Sequence, residues 1–183
     1  MRVAFKYLLL QPSNIIKLSQ AITKRGLCEQ CEEEKTAERT LIMIKPDGVR
    51  RVLIGSIIKR FEQRGFKLVA IKMVHATDDI LKEHYHELVA KPFFSELTNY
   101  IKSGPVVPMV WEGENIIEAS RKIIGATKAL ESAPGTIRGD YFLHKDRNIL
   151  HGSSSLEAAK KEIALWFEKD EIENWEFDWC YED

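Results

Sequence analysis

His151 is the residue of this chain whose neighbours best suit it for chemistry. Asn148 precedes it, and Gly152 and Ser153 follow it directly. Imidazole titrates near neutral pH, so its neutral form offers a nitrogen that can attack phosphorus and hold a phosphoryl group as a phosphoramidate. Gly152 lets the backbone approach closely, and serine hydroxyls can orient the ring. This motif alone is weak evidence, because most loop histidines are structural.

Three cations could converge on phosphate oxygens beside such a histidine. Lys45 ends a predicted strand, Arg121 lies in a predicted helix, and Arg138 lies between Gly135 and Gly139 in a predicted turn. Phosphoryl transfer depends on positioning and charge stabilisation, which a lysine and two arginines can provide. The sequence contains neither G-x-x-x-x-G-K-[ST] nor G-x-G-x-x-G, so a P-loop or Rossmann phosphate cradle is unsupported.

The elements that must position these residues alternate between short β-like runs and longer helical runs. Short apolar runs predict strands over residues 40–44 and 106–111, alternation predicts one over residues 66–74, and residues 139–144 can form a fourth. Apolar residues at helical spacing predict helices over residues 54–61, 78–88, 115–124 and 155–167. Pro108 interrupts the third strand, because proline cannot donate a ladder hydrogen bond, so we expect a bulge there or a shorter strand.

This order of elements predicts an α+β fold. It contains the βαββαβ alternation of a ferredoxin-like, four-stranded antiparallel sheet covered by helices, with an extra helix between the second and third strands and a C-terminal tail. Periodicity alone leaves a Rossmann-like parallel sheet open.

Composition excludes several classes of protein. The chain has 183 residues, 44% of them apolar and 30% charged, with a formal net charge of -1. No basic excess attracts nucleic acid, which is therefore not expected as a partner. Lys6 interrupts the only leucine-rich run, so no membrane span is expected. Cys28, Cys31 and Cys180 cannot form a disulfide framework, and we expect reduced thiols.

The first 37 residues differ in charge from the remainder. Their basic residues begin at Arg2, and the first acidic residue is Glu29. This asymmetry is typical of a targeting presequence, although a disordered extension with an acidic linker fits as well. We expect a mitochondrial or other organellar location if it is a presequence, and a cytoplasmic one otherwise. The catalytic domain should span residues 38–183.

Six motifs in this order resemble those of the nucleoside diphosphate kinase family over roughly residues 38–183. They are IKPDGV at 44–49, HY at 84–85, PFF at 92–94, SGPVV at 103–107, GTIRGD at 135–140 and NILHGS at 148–153. The resemblance implies an enzyme that transfers the γ-phosphate of a nucleoside triphosphate, typically ATP, to a nucleoside diphosphate in a ping-pong cycle through a phosphohistidine. A regulatory phosphohistidine relay or scaffold with the same fold is the alternative.

The resemblance also implies which residues are catalytic. His151 is the implied nucleophile, Lys45 neutralises phosphate oxygens, and the Tyr85 hydroxyl donates to the phosphoryl group in flight. Glu162, near Ser153, orients the histidine, and Gly152 completes the motif. The implied nucleotide-binding residues are Lys45, Phe93, Arg121, Thr127, Arg138 and Asn148. Within this set Phe93 stacks on the base, which tolerates any base because every base has a π-face.

The family resemblance implies a cofactor and an assembly as well. Mg²⁺ should be held through the substrate phosphates, with no direct protein ligand, and self-association as a homohexamer is expected. Three positions depart from the family pattern. Ser154 replaces an aspartate near the magnesium hydration shell, Lys145 replaces a small apolar residue at the base site, and Ala129 lies where a proline usually supports subunit packing.

Overall fold

A single four-stranded antiparallel sheet forms the centre of the protein. The structure, a computed structural model, describes residues 37–128, 131–141 and 147–176. The strands are β1 (Glu38–Ile44), β2 (Lys67–Ile71), β3 (Val107–Gly113) and β4 (Leu150–Gly152), in the spatial order β2-β3-β1-β4. Every pairing is antiparallel. The predicted ferredoxin-like α+β fold is confirmed, and the parallel alternative is excluded.

Seven α-helices occur among the described residues. They are α1 (Pro46–Arg50), α2 (Ile54–Glu62), α3 (Asp78–His84), α4 (Phe94–Lys102), α5 (Ile116–Ile124), α6 (Ile137–Tyr141) and α7 (Leu156–Trp166), with 3-10 turns at His86–Leu88 and Lys169–Glu171. The Thr77 side chain accepts from the N–H of Ile80 and begins α3, and Ser155 accepts from the N–H of Ala158 and begins α7. Within the described ranges, no helix has the length and apolar character needed to cross a membrane.

The helices cover both faces of the sheet, because successive strand residues point to opposite sides. Leu41 and Met43 of β1 pack into a core formed with α3, α4 and α7, whereas Ile42 and Ile44 pack into a core formed with α2 and α5. All four side chains are fully buried, and each such burial stabilises the fold by about 1.5–3 kcal/mol. β1 therefore holds the two cores together.

The fourth strand predicted over residues 139–144 is wrong for residues 139–141, while residues 142–144 lie outside the described residues. Residues 139–141 lie in α6, where the N–H of Gly139 donates to Thr136 Oγ1 at 3.0 Å and the N–H of Asp140 donates to Thr136 O at 2.9 Å. These bonds satisfy the backbone locally and start a helical turn. The fourth strand is Leu150–Gly152 instead, and three residues are too few for an alternation to be recognised.

Other predicted boundaries also need correction. The second strand ends at Ile71, and Val74 makes only an isolated bridge to Val106. The helix predicted over residues 78–88 ends at His84, where a 3-10 turn follows. The sequence prediction also lacked helices α1 and α4.

Pro108 occupies neither a bulge nor a shortened strand. It pairs with Met43 of β1 within β3, and the N–H of Lys72 donates to its carbonyl at 3.2 Å. Pro108 has no N–H to donate to the carbonyl of Lys72. This missing hydrogen bond lies just past Ile71, where β2 has already ended. The sheet therefore loses one hydrogen bond at the end of a ladder, where the loss is tolerated.

Several predicted features lie outside the described residues. They are residues 1–36 with Cys28 and Cys31, Cys180, Ala129 and Lys145. The described part of the C-terminal tail lies along β2, where the N–H of Glu173 donates to Val69 O and Trp175 Nε1 donates to Leu68 O.

Candidate active site

His151 lies in β4, and strand pairing decides which way its side chain points. It is directly opposite Met43 of β1, and opposite residues of an antiparallel pair point to the same face of the sheet. Met43 belongs to the core beneath α3, α4 and α7. The imidazole therefore meets side chains from α3 and α7.

Glu162 of α7 binds one nitrogen of this imidazole. Its Oε1 lies 2.9 Å from His151 Nε2, and the hydroxyl of Ser153 donates to its Oε2 at 2.5 Å. Buried Ser153 also accepts from the N–H of Leu41 at 3.2 Å, which anchors the group to β1. Burial raises the pKa of Glu162, but the hydrogen bonds from His151 and Ser153 and the attraction of a protonated His151 outweigh it and hold the pKa below its usual value. Glu162 is therefore an anion at neutral pH.

Lys45 leaves the end of β1 and meets the turn that precedes β4. Its Nζ donates to Asn148 Oδ1 at 2.6 Å, and its backbone N–H donates to Ile149 O at 2.7 Å. Burial, followed by the charge of Arg138, lowers the pKa of Lys45 to about 8, although Asp47 opposes the shift. Lys45 is thus a cation at neutral pH that can lose its proton under mildly alkaline conditions.

The turn at Ile149 is strained. Its φ is 65°, which β-branched residues rarely adopt, and the N–H of Leu150 donates to Asn148 O at 2.7 Å across it. Ile149 is fully buried, so tertiary packing holds this conformation. The turn places the Asn148 amide beside Lys45 and directs the chain into β4.

Arg138 ties three segments of the site together. It lies in α6 rather than in the predicted turn, and its buried guanidinium donates to Gly125 O at 3.0 Å and to Leu150 O at 2.9 Å. Longer bonds reach Asn148 O at 3.4 Å and Thr127 Oγ1 at 3.5 Å. Burial and then the charge of Arg121 lower the pKa of Arg138 to about 10, so it remains a cation at neutral pH.

Tyr85 follows α3 and lies close to the His151 ring, with centroids 6.2 Å apart. Its hydroxyl is buried and has no hydrogen-bond partner among the described residues. Burial, and then the charge of Glu162, raise the pKa of Tyr85, so the hydroxyl keeps its proton. A buried hydroxyl without a partner is costly, and here it is available to donate to a ligand.

A cavity of about 390 Å³ opens beside His151. Phe93, which is 49% exposed, forms one wall, and Gly152 lies in the lining next to the imidazole. A Cβ on Gly152 would lie 2.5 Å from Ile124 Cδ1, so a larger residue between β4 and α5 would force the Ile124 side chain to shift. The predicted site residues in the lining are Lys45, Tyr85, Phe93, Arg121, Thr127, Arg138, Asn148, His151 and Gly152.

The structure thus brings the predicted residues together around one cavity, with Glu162 and Ser153 behind the imidazole. Sequence reasoning quoted His84 within a motif but gave it no role, although its ring centroid lies 4.5 Å from that of His151, and it missed the strained Ile149. A signal for His84 was present, since it follows Leu81 by three positions and a helix places both on one face. Nothing in the local sequence indicated the conformation of Ile149.

Comparison with known proteins identifies the family of this chain. A family model described as nucleoside diphosphate kinase matches residues 38–172. The nucleoside diphosphate kinase of Drosophila yakuba is 56% identical over 148 residues, which are 79% of this chain and 99% of that protein. Among solved structures, a nucleoside diphosphate kinase family protein from Babesia bovis has a TM-score of 0.75 and 51% identity, covering 77% of this chain and 95% of its own. A halophilic nucleoside diphosphate kinase from Halobacterium salinarum, solved in complex with CDP, has a TM-score of 0.75 and 47% identity, covering 77% and 94%. The chain therefore belongs to the nucleoside diphosphate kinase family.

Proposed function

We propose that this chain transfers the terminal phosphate of a nucleoside triphosphate to a nucleoside diphosphate through a phosphorylated His151. The orientation of the imidazole supports this proposal most directly. Glu162 engages Nε2 at 2.9 Å, which leaves Nδ1 to act as the nucleophile. The ring lies in the lining of the same cavity as Lys45 and Arg138.

The chemical step needs no proton transfer in this arrangement. Neutral His151 carries its proton on Nε2, which donates to Glu162. The lone pair of Nδ1 attacks the terminal phosphorus, an N–P bond forms, and the bond to the bridging oxygen breaks as the diphosphate leaves with its electron pair. The phosphorylated ring is an imidazolium, which the Glu162 carboxylate stabilises. A terminal oxygen of the second diphosphate then attacks phosphorus and returns the electron pair to Nδ1.

The surrounding side chains supply charge and orientation. We assign Lys45, Arg121 and Arg138 to the phosphate oxygens, because each lines the cavity as a cation. We assign the Tyr85 hydroxyl to the phosphoryl group in flight, since this buried donor has no partner within the described part of the chain.

The remaining cavity residues suit the nucleoside. Phe93 presents an exposed aromatic face on which a base can stack, and Asn148 and Thr127 offer hydrogen-bonding side chains for ribose and phosphate. Stacking accepts purines and pyrimidines, so we propose broad base tolerance.

Magnesium fits this site only through the substrate. No carboxylate lines the cavity among the described residues, and Glu162, which lies behind the imidazole, is bonded to His151 and Ser153. We therefore propose that Mg²⁺ binds phosphate oxygens and water and neutralises the charge of the leaving diphosphate. Ser154 is exposed in the cavity lining. It offers that hydration shell a hydroxyl in place of the carboxylate of an aspartate.

The proposal extends to assembly and location. β2 is an edge strand and exposes Ile71, with Met73 exposed just beyond its end. These side chains support self-association, for which we propose a homohexamer, testable by light scattering during size-exclusion chromatography.

The basic start of residues 1–37 supports an organellar presequence, and an intact Met1 on the native protein would overturn it.

The experiment that tests the proposed function follows the phosphate itself. The protein is incubated with γ-labelled ATP and magnesium, the acid-labile, base-stable phosphoprotein is isolated, and GDP is added as acceptor. We expect labelled GTP from the natural chain and from His86→Ala, whose exposed ring serves as a matched control. His151→Ala should neither take up nor pass on label. Phosphoprotein that forms but is not discharged by any diphosphate would favour the relay alternative.

A further inference from the structure

His84 lies at the end of α3 and is enclosed by aromatic rings. Its ring centroid lies 4.5 Å from those of Tyr85 and His151 and 5.8 Å from that of Trp166. Only 9% of its surface is exposed. The contact with His151 is edge-on, with an angle of 70° between the rings. His84 therefore packs directly against the imidazole that carries the proposed chemistry.

Trp166 decides which nitrogen of His84 carries the proton. The indole Nε1–H lies 3.1 Å from His84 Nδ1, and an indole nitrogen can only donate. Nδ1 must therefore accept. Burial, followed by the charge of His151, lowers the pKa of His84 to about 3, so the ring is neutral and has one proton. That proton is on Nε2, which is buried without a partner in the described part of the protein.

This tautomer matters because the three neighbouring side chains form a potential metal-binding group. One nitrogen each of His84 and His151 and one oxygen of Glu162 lie within 4.8 Å of one another. Two histidines and a glutamate are a common ligand set for zinc. A ring nitrogen that carries a proton cannot bind a metal, and the other nitrogen of His84 is occupied by Trp166.

We propose that His84 is a positioning residue for His151, and that Trp166 holds His84 with its proton on Nε2 so that this cluster does not bind a transition metal. The edge-on packing restrains the imidazole so that Nε2 stays against Glu162 and Nδ1 stays in the cavity. A neutral His84 also adds no positive charge beside the imidazolium that forms on phosphorylation. The inference rests on the proposed role of His151 as the nucleophile.

The tautomer is tested by nitrogen NMR on protein labelled with ¹⁵N-histidine. The chain has five histidines, and His84→Asn identifies the His84 signals by their loss. We expect a protonated Nε2 and an unprotonated Nδ1 at neutral pH in the natural protein. In Trp166→Phe, which keeps an aromatic ring but removes the donor, the proton should distribute over both nitrogens. A protonated Nδ1 in the natural protein would overturn the assignment.

Metal exclusion is tested by titrating Zn²⁺ without nucleotide and measuring bound metal by calorimetry. Trp166→Phe should bind Zn²⁺ about ten to a hundred times more tightly than the natural chain. Adding His84→Phe to that variant should abolish the gain. Equal affinity for Zn²⁺ in Trp166→Phe and the natural chain would show that the indole does not prevent the cluster from binding metal. Thermal unfolding confirms that each variant is folded.

Positioning is tested by single-turnover phosphorylation from ATP. His84→Phe should lower the maximal rate about a hundredfold, because a small misplacement of a reacting group is costly, and should leave the KM for ATP unchanged. His84→Asn keeps an acceptor for Trp166 and should recover part of the rate, while His86→Asn at the exposed position should have no effect. A normal phosphorylation rate in His84→Phe would show that His84 does not position His151. Phosphate transfer by His151→Ala would instead refute the proposed function. The NMR and zinc results do not depend on that outcome.

Discussion

The ammonium of Lys45 lies 2.6 Å from the amide oxygen of Asn148, although 103 positions separate the two residues in the chain. The bond joins the end of β1 to the strained turn before β4. Burial beside the charge of Arg138 lowers the pKa of Lys45 to about 8. The protonation state of Lys45 should therefore determine how strongly the free enzyme binds a substrate phosphate.

We expect kcat/KM to fall as the pH rises through about 8, where Lys45 loses its proton. kcat/KM reports the ionisations of the free enzyme, whereas kcat reports those of the bound complex. Bound phosphate raises the pKa of a neighbouring ammonium, so kcat should persist to higher pH. Steady-state pH profiles measure both quantities. Lys45→Arg should be less active but show no decline near that pH, and a flat kcat/KM in the natural chain would contradict the prediction.

Replacing Glu162 by glutamine should slow phosphorylation of His151 about a hundredfold, because the amide keeps the shape but lacks the charge that stabilises the imidazolium. Rapid-quench measurement of the labelled phosphoprotein determines this rate. Glu157→Gln, at an exposed position of α7, is the matched control and should react normally.

The same carboxylate should also affect stability in acid. The pKa of Glu162 is lower in the fold than its ordinary value of 4.5. Its stabilisation is therefore complete above pH 4.5 and is lost as the pH falls through the lowered pKa. Thermal unfolding temperatures of Glu162→Gln should depend less on pH in this range than those of the natural chain. Parallel curves would show that the carboxylate is not stabilised in the fold.

Truncating Phe93 to alanine should raise the KM for every nucleotide by a similar factor. Loss of base stacking costs about 1–3 kcal/mol, which corresponds to roughly a tenfold to hundredfold change. Because stacking does not read the base, GDP and CDP should be affected alike. Phe93→Trp should retain binding. Steady-state KM values for several acceptors measure the effect, and a change confined to one base would argue for specific recognition instead.

Val52→Gly should stabilise the fold. The N–H of Leu53 donates to Gly48 O and that of Val52 to Val49 O, the two bonds of a Schellman motif that ends α1. Val52 has a φ of 58° there and is 86% exposed, so it adopts a left-handed conformation without packing in return. That conformation costs roughly 1–2 kcal/mol, and the greater unfolded-chain entropy of glycine offsets about 0.4–1 kcal/mol.

Urea unfolding should therefore show a gain of about 0.5–1 kcal/mol in the free energy of unfolding of Val52→Gly. Val89→Gly is the matched control, because Val89 is also exposed but has a φ of -55°. It should be destabilised. Similar losses in both variants would show that the left-handed position carries no strain.

The strongly periodic elements were predictable because a short stretch of sequence is enough to show which residues face the core. Short apolar runs revealed β1 and β3, and helical spacing revealed α2, α5 and α7, all within one or two residues. Periodicity failed for β4, which has three residues and exists only because β1 lies beside it. It failed for residues 139–141 because Thr136 caps a helix there through its side chain.

The sequence by itself determined the inventory of the site and the family, since the motifs around Lys45, Tyr85, Arg138 and His151 can be read directly from the chain. Only the tertiary structure decided how these residues act on one another. The pairing of His151 with Met43 turns the imidazole towards Glu162, and a bond across 82 positions makes Trp166 set the proton of His84. Residue types are a local property of the chain, whereas strand register, burial and the direction of a hydrogen bond depend on segments that meet only when the chain folds.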